Sequence, residues 1–102
     1  MQNALETTFT FRNMDSTDAL RDHTNEKLEK LDKYLARPAA AHVIFKFEGT
    51  EHVAEITLNV KGGRFVGVET SNDMYNSIDG AIEKLKKQLS KQHERIKGHK
   101  GE

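Results

Sequence analysis

Apolar residues recur at every second position in three stretches of this chain, and at every third or fourth position in two others. Leu5, Thr7, Phe9 and Phe11 share one face of an alternating run, with Glu6, Thr8 and Thr10 between them. That pattern predicts a half-buried strand over residues 5–11. Asn13 to Asp18 is a polar break in which Ser16 or Thr17 can cap a helix and Asp18 suits the first turn. Leu20, Thr24, Leu28, Leu31 and Leu35 then mark a helical stripe running to about Ala36. Pro38 stops it, because the residue before a proline avoids helical geometry.

Val43, Phe45 and Phe47 alternate with Ile44, Lys46 and Glu48 in a second strand, and Gly49 to Glu51 turns the chain. A third strand follows, with Ala54, Ile56, Leu58 and Val60 alternating with Glu55, Thr57, Asn59 and Lys61. Gly62-Gly63 is a two-residue hairpin signal, since glycine supplies the positive φ that tight turns need. Arg64 to Thr70 forms a fourth strand whose inward face stays open, because Phe65, Val66 and Val68 do not alternate cleanly. Ser71 or Asn72 caps a long helix from Asp73 to Lys97, with an apolar stripe of Met74, Ile78, Ile82, Leu85, Leu89 and Ile96. Gly80 inside this helix costs up to ~1 kcal/mol relative to Ala, and a close approach to the sheet would account for it. Gly98 and Gly101 are expected to end the helix in a short tail over residues 98–102.

The order is β-α-β-β-β-α. Strands two to four form a meander through short connections. Each helix has a single apolar stripe, so both should lie on one face of a four-stranded sheet in a two-layer α+β fold. The 102 residues suffice for one domain over residues 1–102.

Charge changes this picture. Sixteen basic and sixteen acidic residues cancel, which taken alone argues against a general nucleic-acid binder. Their distribution is uneven. From Lys84 to Lys100 there are six Lys and one Arg against a single acid, Glu94. At ~100° per residue, Lys84, Lys87, Lys91 and Arg95 fall within roughly an 80° sector away from the apolar stripe. That helix sector contains no acid, and four cations about one turn apart read as an RNA-binding ridge. With three Lys and one Arg, point-charge contact with the phosphate backbone is favoured over base readout. On the first helix Lys27, Lys30, Lys33 and Arg37 lie on one flank, and Asp18, Asp22, Glu29 and Asp32 lean to the other. Lys27, Lys30 and Arg37 would extend the ridge if the exposed sides of the two helices adjoin. A solvated helix laced with pairs such as Glu26–Lys30 is the plainer alternative.

Other chemistry is sparse. The chain has no cysteine, so disulfides and thiolate metal sites are excluded. None of His23, His42, His52, His93 and His99 forms an HExxH-like ligand pair. No nucleophile, phosphate loop or third partner accompanies Asp73 and Asp79 as a catalytic set, so no enzyme, metal or cofactor is expected. Tyr75 could stack on a base, or sit at the edge of the core. No apolar run approaches the ~18 residues of a membrane span, and the expected location is cytoplasmic.

Asp73-Met74-Tyr75, Ile78-Asp79, Lys84-Leu85, Gln88-Leu89 and Lys91 resemble the signature of the ribosome hibernation-promoting factors, also called the ribosome-associated inhibitor or protein Y family. Leu20-Arg21, Lys27, Leu31 and Tyr34 resemble that family's first helix, and His52-Val53-Ala54-Glu55 resembles the opening of its third strand. The resemblance implies a fold like that of double-stranded-RNA-binding domains. It also implies binding to the small ribosomal subunit between head and body, on ground used by mRNA and by A- and P-site tRNA, which silences ribosomes in stationary phase or stress. Carried over to this sequence, the rRNA-contact candidates are Arg21, Lys27, Lys30, Lys84, Lys87, Lys91 and Arg95. The chain's length resembles the short form of the family, which aids ribosome dimerisation with a separate small modulation factor. The alternative is a protein-binding regulator, a transcription-factor modulator without ribosome contact, suggested by acids around Glu48, Glu51 and Glu55.

Overall fold

The computed structural model describes residues 5–35, 39–60 and 62–100, with side chains described as far as Gln92. Four strands and two helices follow the expected order: β1 (Leu5–Arg12), α1 (Asp18–Glu29), β2 (Ala39–Glu48), β3 (Glu51–Val60), β4 (Gly63–Ser71) and α2 (Met74–Lys100). The strands lie side by side as β1-β2-β3-β4. β1 is parallel to β2, with Phe9 opposite Val43, whereas β2–β3 and β3–β4 are antiparallel hairpin pairs.

One face of the sheet carries the core. Phe45, Ile56, Leu58 and Val43 are buried there with Leu28 and Leu31 from the first helical region and Ile78 and Leu85 from α2. Phe9 and Phe11 flank Phe45, with ring centroids at 6.1 and 5.0 Å. The apolar stripe of α2 is inward as expected through Leu89, while the side chain of Ile96 lies outside the described residues. In β4 the inward positions are Phe65, Gly67 and Glu69, and Val66 and Val68 point to the open face. The uneven sequence pattern arises because a glycine holds the central inward position, where α2 crosses.

Three local readings are corrected. α1 ends at Glu29 rather than near Ala36, and the chain continues through a tighter turn with a 3-10 segment at Asp32–Tyr34. Leu31, Tyr34 and Leu35 each bond to the carbonyl three residues back. Three residues per turn stack Leu28 and Leu31 on one side, and both are buried. Ala36, Arg37 and Pro38, on which the helix stop was placed, lie outside the described residues, as does Lys61. The cap of α2 is Asp73, whose Oδ1 accepts the Tyr75 N–H at 2.8 Å; Ser71 instead accepts the Asp73 N–H at 3.2 Å. α2 continues helically past Gly98 to Lys100, since a single glycine weakens a helix without ending it.

Of the two proposed caps for α1, Thr17 is the one used: its Oγ1 accepts the Leu20 N–H at 3.1 Å. Gly80 approaches the sheet closely, as its sequence context suggested. A Cβ there would lie 2.5 Å from Cγ of Glu69.

Candidate nucleic-acid interface

The helices place the seven candidate cations in distinct settings. Lys27, on the flank of α1 that faces α2, lies 3.8 Å from the Asp79 carboxylate. Asp79 also meets His23 Nε2 at 2.8 Å, so one carboxylate ties the two helices together. Lys27, Lys30, Lys33 and Lys86 line a groove of about 780 Å³ between the first helical region and α2, floored by Leu31 and Ile82. Glu29, Asp32, Asp79 and Glu83 line the same groove, so it is mixed in charge.

Lys84 faces the other way. Its Nζ meets Glu69 at 2.8 Å and donates to the Val68 carbonyl at 2.6 Å. One turn on, the Gln88 amide donates to the Val66 carbonyl at 2.9 Å. β4 is an edge strand, and these two side chains cover carbonyls that, among the described residues, no further strand pairs. Lys91 shares the flank of Lys84, and Lys87 stands toward the crest of α2 by the 100° step; both are exposed. Arg21, at the other edge of the molecule, pairs with Asp18 at 3.0 Å and lies over the Phe11 ring at 5.2 Å. The side chain of Arg95 lies outside the described residues.

The described candidates on the two facing helices are divided between two flanks of the helical surface. Lys27 and Lys30 face the interhelical groove, whereas Lys84 overhangs the β4 edge; by the helical step Lys91 follows Lys84 on that flank and Lys87 lies between. Among the described residues, Lys30, Lys87 and Lys91 meet no carboxylate. An exposed, unpaired ammonium is the form best suited to a phosphate, because no existing partner must be displaced. Lys86 was absent from the sequence-derived candidates. It falls outside the acid-free sector, yet it projects toward α1 and lines the groove with Lys27 and Lys30, 4.0 Å from Glu83. Its position four residues after Ile82, on the α1 side of the stripe, was the available signal.

Fold and surface together define a small two-layer α+β module with cationic helix flanks and an open sheet face. The family described as Sigma 54 modulation protein / S30EA ribosomal protein matches residues 7–97, and the chain belongs to it. The ribosome hibernation promoting factor of Escherichia coli (strain K12) is 36% identical over 95 residues, covering 93% of this chain and 100% of that protein. The factor of the same name from Salmonella typhimurium is 35% identical over the same spans. The N-terminal domain of Thermus thermophilus Protein Y superimposes with a TM-score of 0.77 at 32% identity, covering 85% of this chain and 96% of that one. The Escherichia coli and Salmonella typhimurium relatives are named for ribosome hibernation, not for a catalysed reaction. Among the described residues, no helix is long and apolar enough to cross a membrane.

Proposed function

We propose that this protein is a non-enzymatic, cytoplasmic ribosome hibernation factor. It binds the small ribosomal subunit, with rRNA phosphates contacting the basic helix flanks. It occupies ground needed by mRNA and by A- and P-site tRNA, and so inhibits translation in stationary phase or stress. Dimerisation of the silenced ribosomes, aided by a separate small modulation factor, accompanies this role. The observation that carries the proposal is the family match over residues 7–97. The exposed, unpaired Lys30, Lys87 and Lys91 supply its chemistry: positioned point charges that follow a phosphate backbone without reading bases. Occlusion requires no reacting group, only shape and charge.

The test is sedimentation of ribosomes with the protein through a sucrose gradient, beside a Lys87→Glu/Lys91→Glu variant. Wild-type protein travelling with small subunits or whole ribosomes, and the variant left at the top, is the expected result. If both stay at the top in low salt with magnesium present, the ribosome assignment fails. The second reading, a protein-binding regulator, then leads; it is favoured by the acidic loops at the opposite end of the molecule. A protein partner that survives nuclease treatment of a lysate would separate it from an RNA-bridged one.

A further inference from the structure

Three loops converge beside the N-termini of both helices. β1 runs parallel to β2, and β4 ends opposite the start of β3, so residues 13–17, 47–52 and 72–75 reach the same end of the molecule. A cleft of about 450 Å³ opens there, walled by Met14, Leu20, Phe47, His52, Met74 and Tyr75. Its size is that of a ligand cleft, for which ~300–1,000 Å³ is usual. Phe47 and Tyr75 are left 38% and 41% exposed, unlike the sheet-covering aromatics. Neither ring is loose: Phe47 meets His52 edge-on at 4.7 Å, and Tyr75 meets His23 edge-on at 5.0 Å. His52 lines the cleft, and its Nδ1 is buried with no hydrogen-bond partner among the described residues.

Charge defines what the cleft accepts. The three converging segments contain Asp15, Glu48, Glu51 and Asp73 and no Lys or Arg. All four carboxylates are exposed. Glu48 pairs with Lys46 at 3.3 Å, while Asp15, Glu51 and Asp73 meet no cation among the described residues. These four acids outnumber the bordering cations Arg12 and Lys46, so this end is acidic on balance and should repel a polyanion and attract a polycation, unlike the surface at Lys87 and Lys91. An apolar, aromatic-walled centre inside a rim of charge is the arrangement of a protein docking site with one anchor residue.

We propose that this cleft docks a lysine- or arginine-rich protein segment, which inserts one bulky apolar side chain between Phe47 and Tyr75. The site shares no residue with the candidate RNA contacts and does not rest on them. A nucleobase could fill the same apolar space, but its flanking phosphates would face three unpaired carboxylates.

Amide NMR of the full chain tests this without ribosomes. The probes are the end-blocked peptide Lys-Arg-Leu-Lys-Arg, the same peptide with Gly in place of Leu, Glu-Glu-Leu-Glu-Glu, and a uridine hexanucleotide. The first peptide is expected to give saturable shifts at Met14, Phe47, His52 and Tyr75. The Gly peptide should bind about fivefold more weakly, and the acidic peptide and the oligonucleotide should leave these residues unmoved. Phe47→Ala should weaken the first peptide about tenfold with the rest of the spectrum preserved, as expected for an anchor wall. No saturable shift at the cleft, or equal binding of the Gly peptide, would overturn the proposal. Cleft shifts caused by the oligonucleotide would overturn it in favour of RNA. The sedimentation experiment reads a different face, so the two readings fail separately.

Discussion

Two glycines set how closely α2 lies on the sheet, and they do so differently. At Gly67 in β4, an added Cβ would collide with the backbone carbonyl of Ala81 and would come within 3.1 Å of Leu85 Cγ. Backbone cannot step aside, so Gly67→Ala must lift the helix. At Gly80 the atoms nearest an added Cβ all belong to the Glu69 side chain; its Cγ and Cδ can swing away and its Cβ, at 3.2 Å, must give only slightly, while the helix gains the better propensity of Ala. Gly67→Ala should therefore cost about 1–3 kcal/mol, the range for overpacking a core. Gly80→Ala should fall within about 1 kcal/mol of wild type, because the helix gain offsets a weakened Glu69–Lys84 pair. Thermal unfolding of the two variants checks this; at ~4–8 °C per kcal/mol the difference is readily measured. Equal melting temperatures would contradict the close crossing. Ser77 shows the same demand for satisfaction at this crossing: fully buried, it donates to the His52 carbonyl at 2.6 Å.

At the scale of elements, α2 serves two purposes with one flank. Lys84 and Gln88 reach over to the Val68 and Val66 carbonyls of the edge strand, which blunts an edge that could otherwise pair with another chain. Lys87 and Lys91, on the crest and outer side, have no such duty. Lys84→Ala should lower stability by about 1 kcal/mol, from a lost hydrogen bond and a partly exposed ion pair. Lys87→Glu/Lys91→Glu should stay within about 0.5 kcal/mol of wild type in urea unfolding, as is usual for exposed substitutions. Comparable losses in both variants would mean that the distinction between structural and free lysines is wrong. It also follows that loss of ribosome binding in a Lys84 variant is ambiguous, whereas loss in the Lys87/Lys91 variant is not.

The whole molecule is polarised. Both helix N-termini and three acid-bearing loops occupy one end, and the candidate cations other than Arg21 lie in later turns of the helices, away from it. Zero net charge thus coexists with two opposed fields, which orients the protein on a target instead of letting it coat any RNA. If four phosphates are neutralised, affinity for ribosomes should fall about a hundredfold between 50 and 200 mM salt, from a slope of ~0.9 per contact. Sedimentation at several salt concentrations measures that slope. A flat response would remove the phosphate contacts from the mechanism.

Much of this was legible in the sequence because it depends on local periodicity. Alternation at Phe9 and Phe11, at Val43 and Phe45 and at Ile56 and Leu58 dictates which side of each strand is buried. The 3.6-residue stripe from Met74 to Leu89 dictates which side of α2 faces the sheet. Thr17, Gly62 and Gly80 advertise their roles through their own chemistry. Tertiary structure alone decided what depends on neighbours distant in sequence. Glu69 is fifteen residues from Lys84 by count, yet it neutralises the cation that looked free on a helical wheel, because a wheel contains only its own helix. Lys86 gains its place beside Lys27 from the packing of α1 on α2. The cleft at Phe47 and Tyr75 exists only because three loops, each unremarkable in sequence, are brought to one end by the strand order.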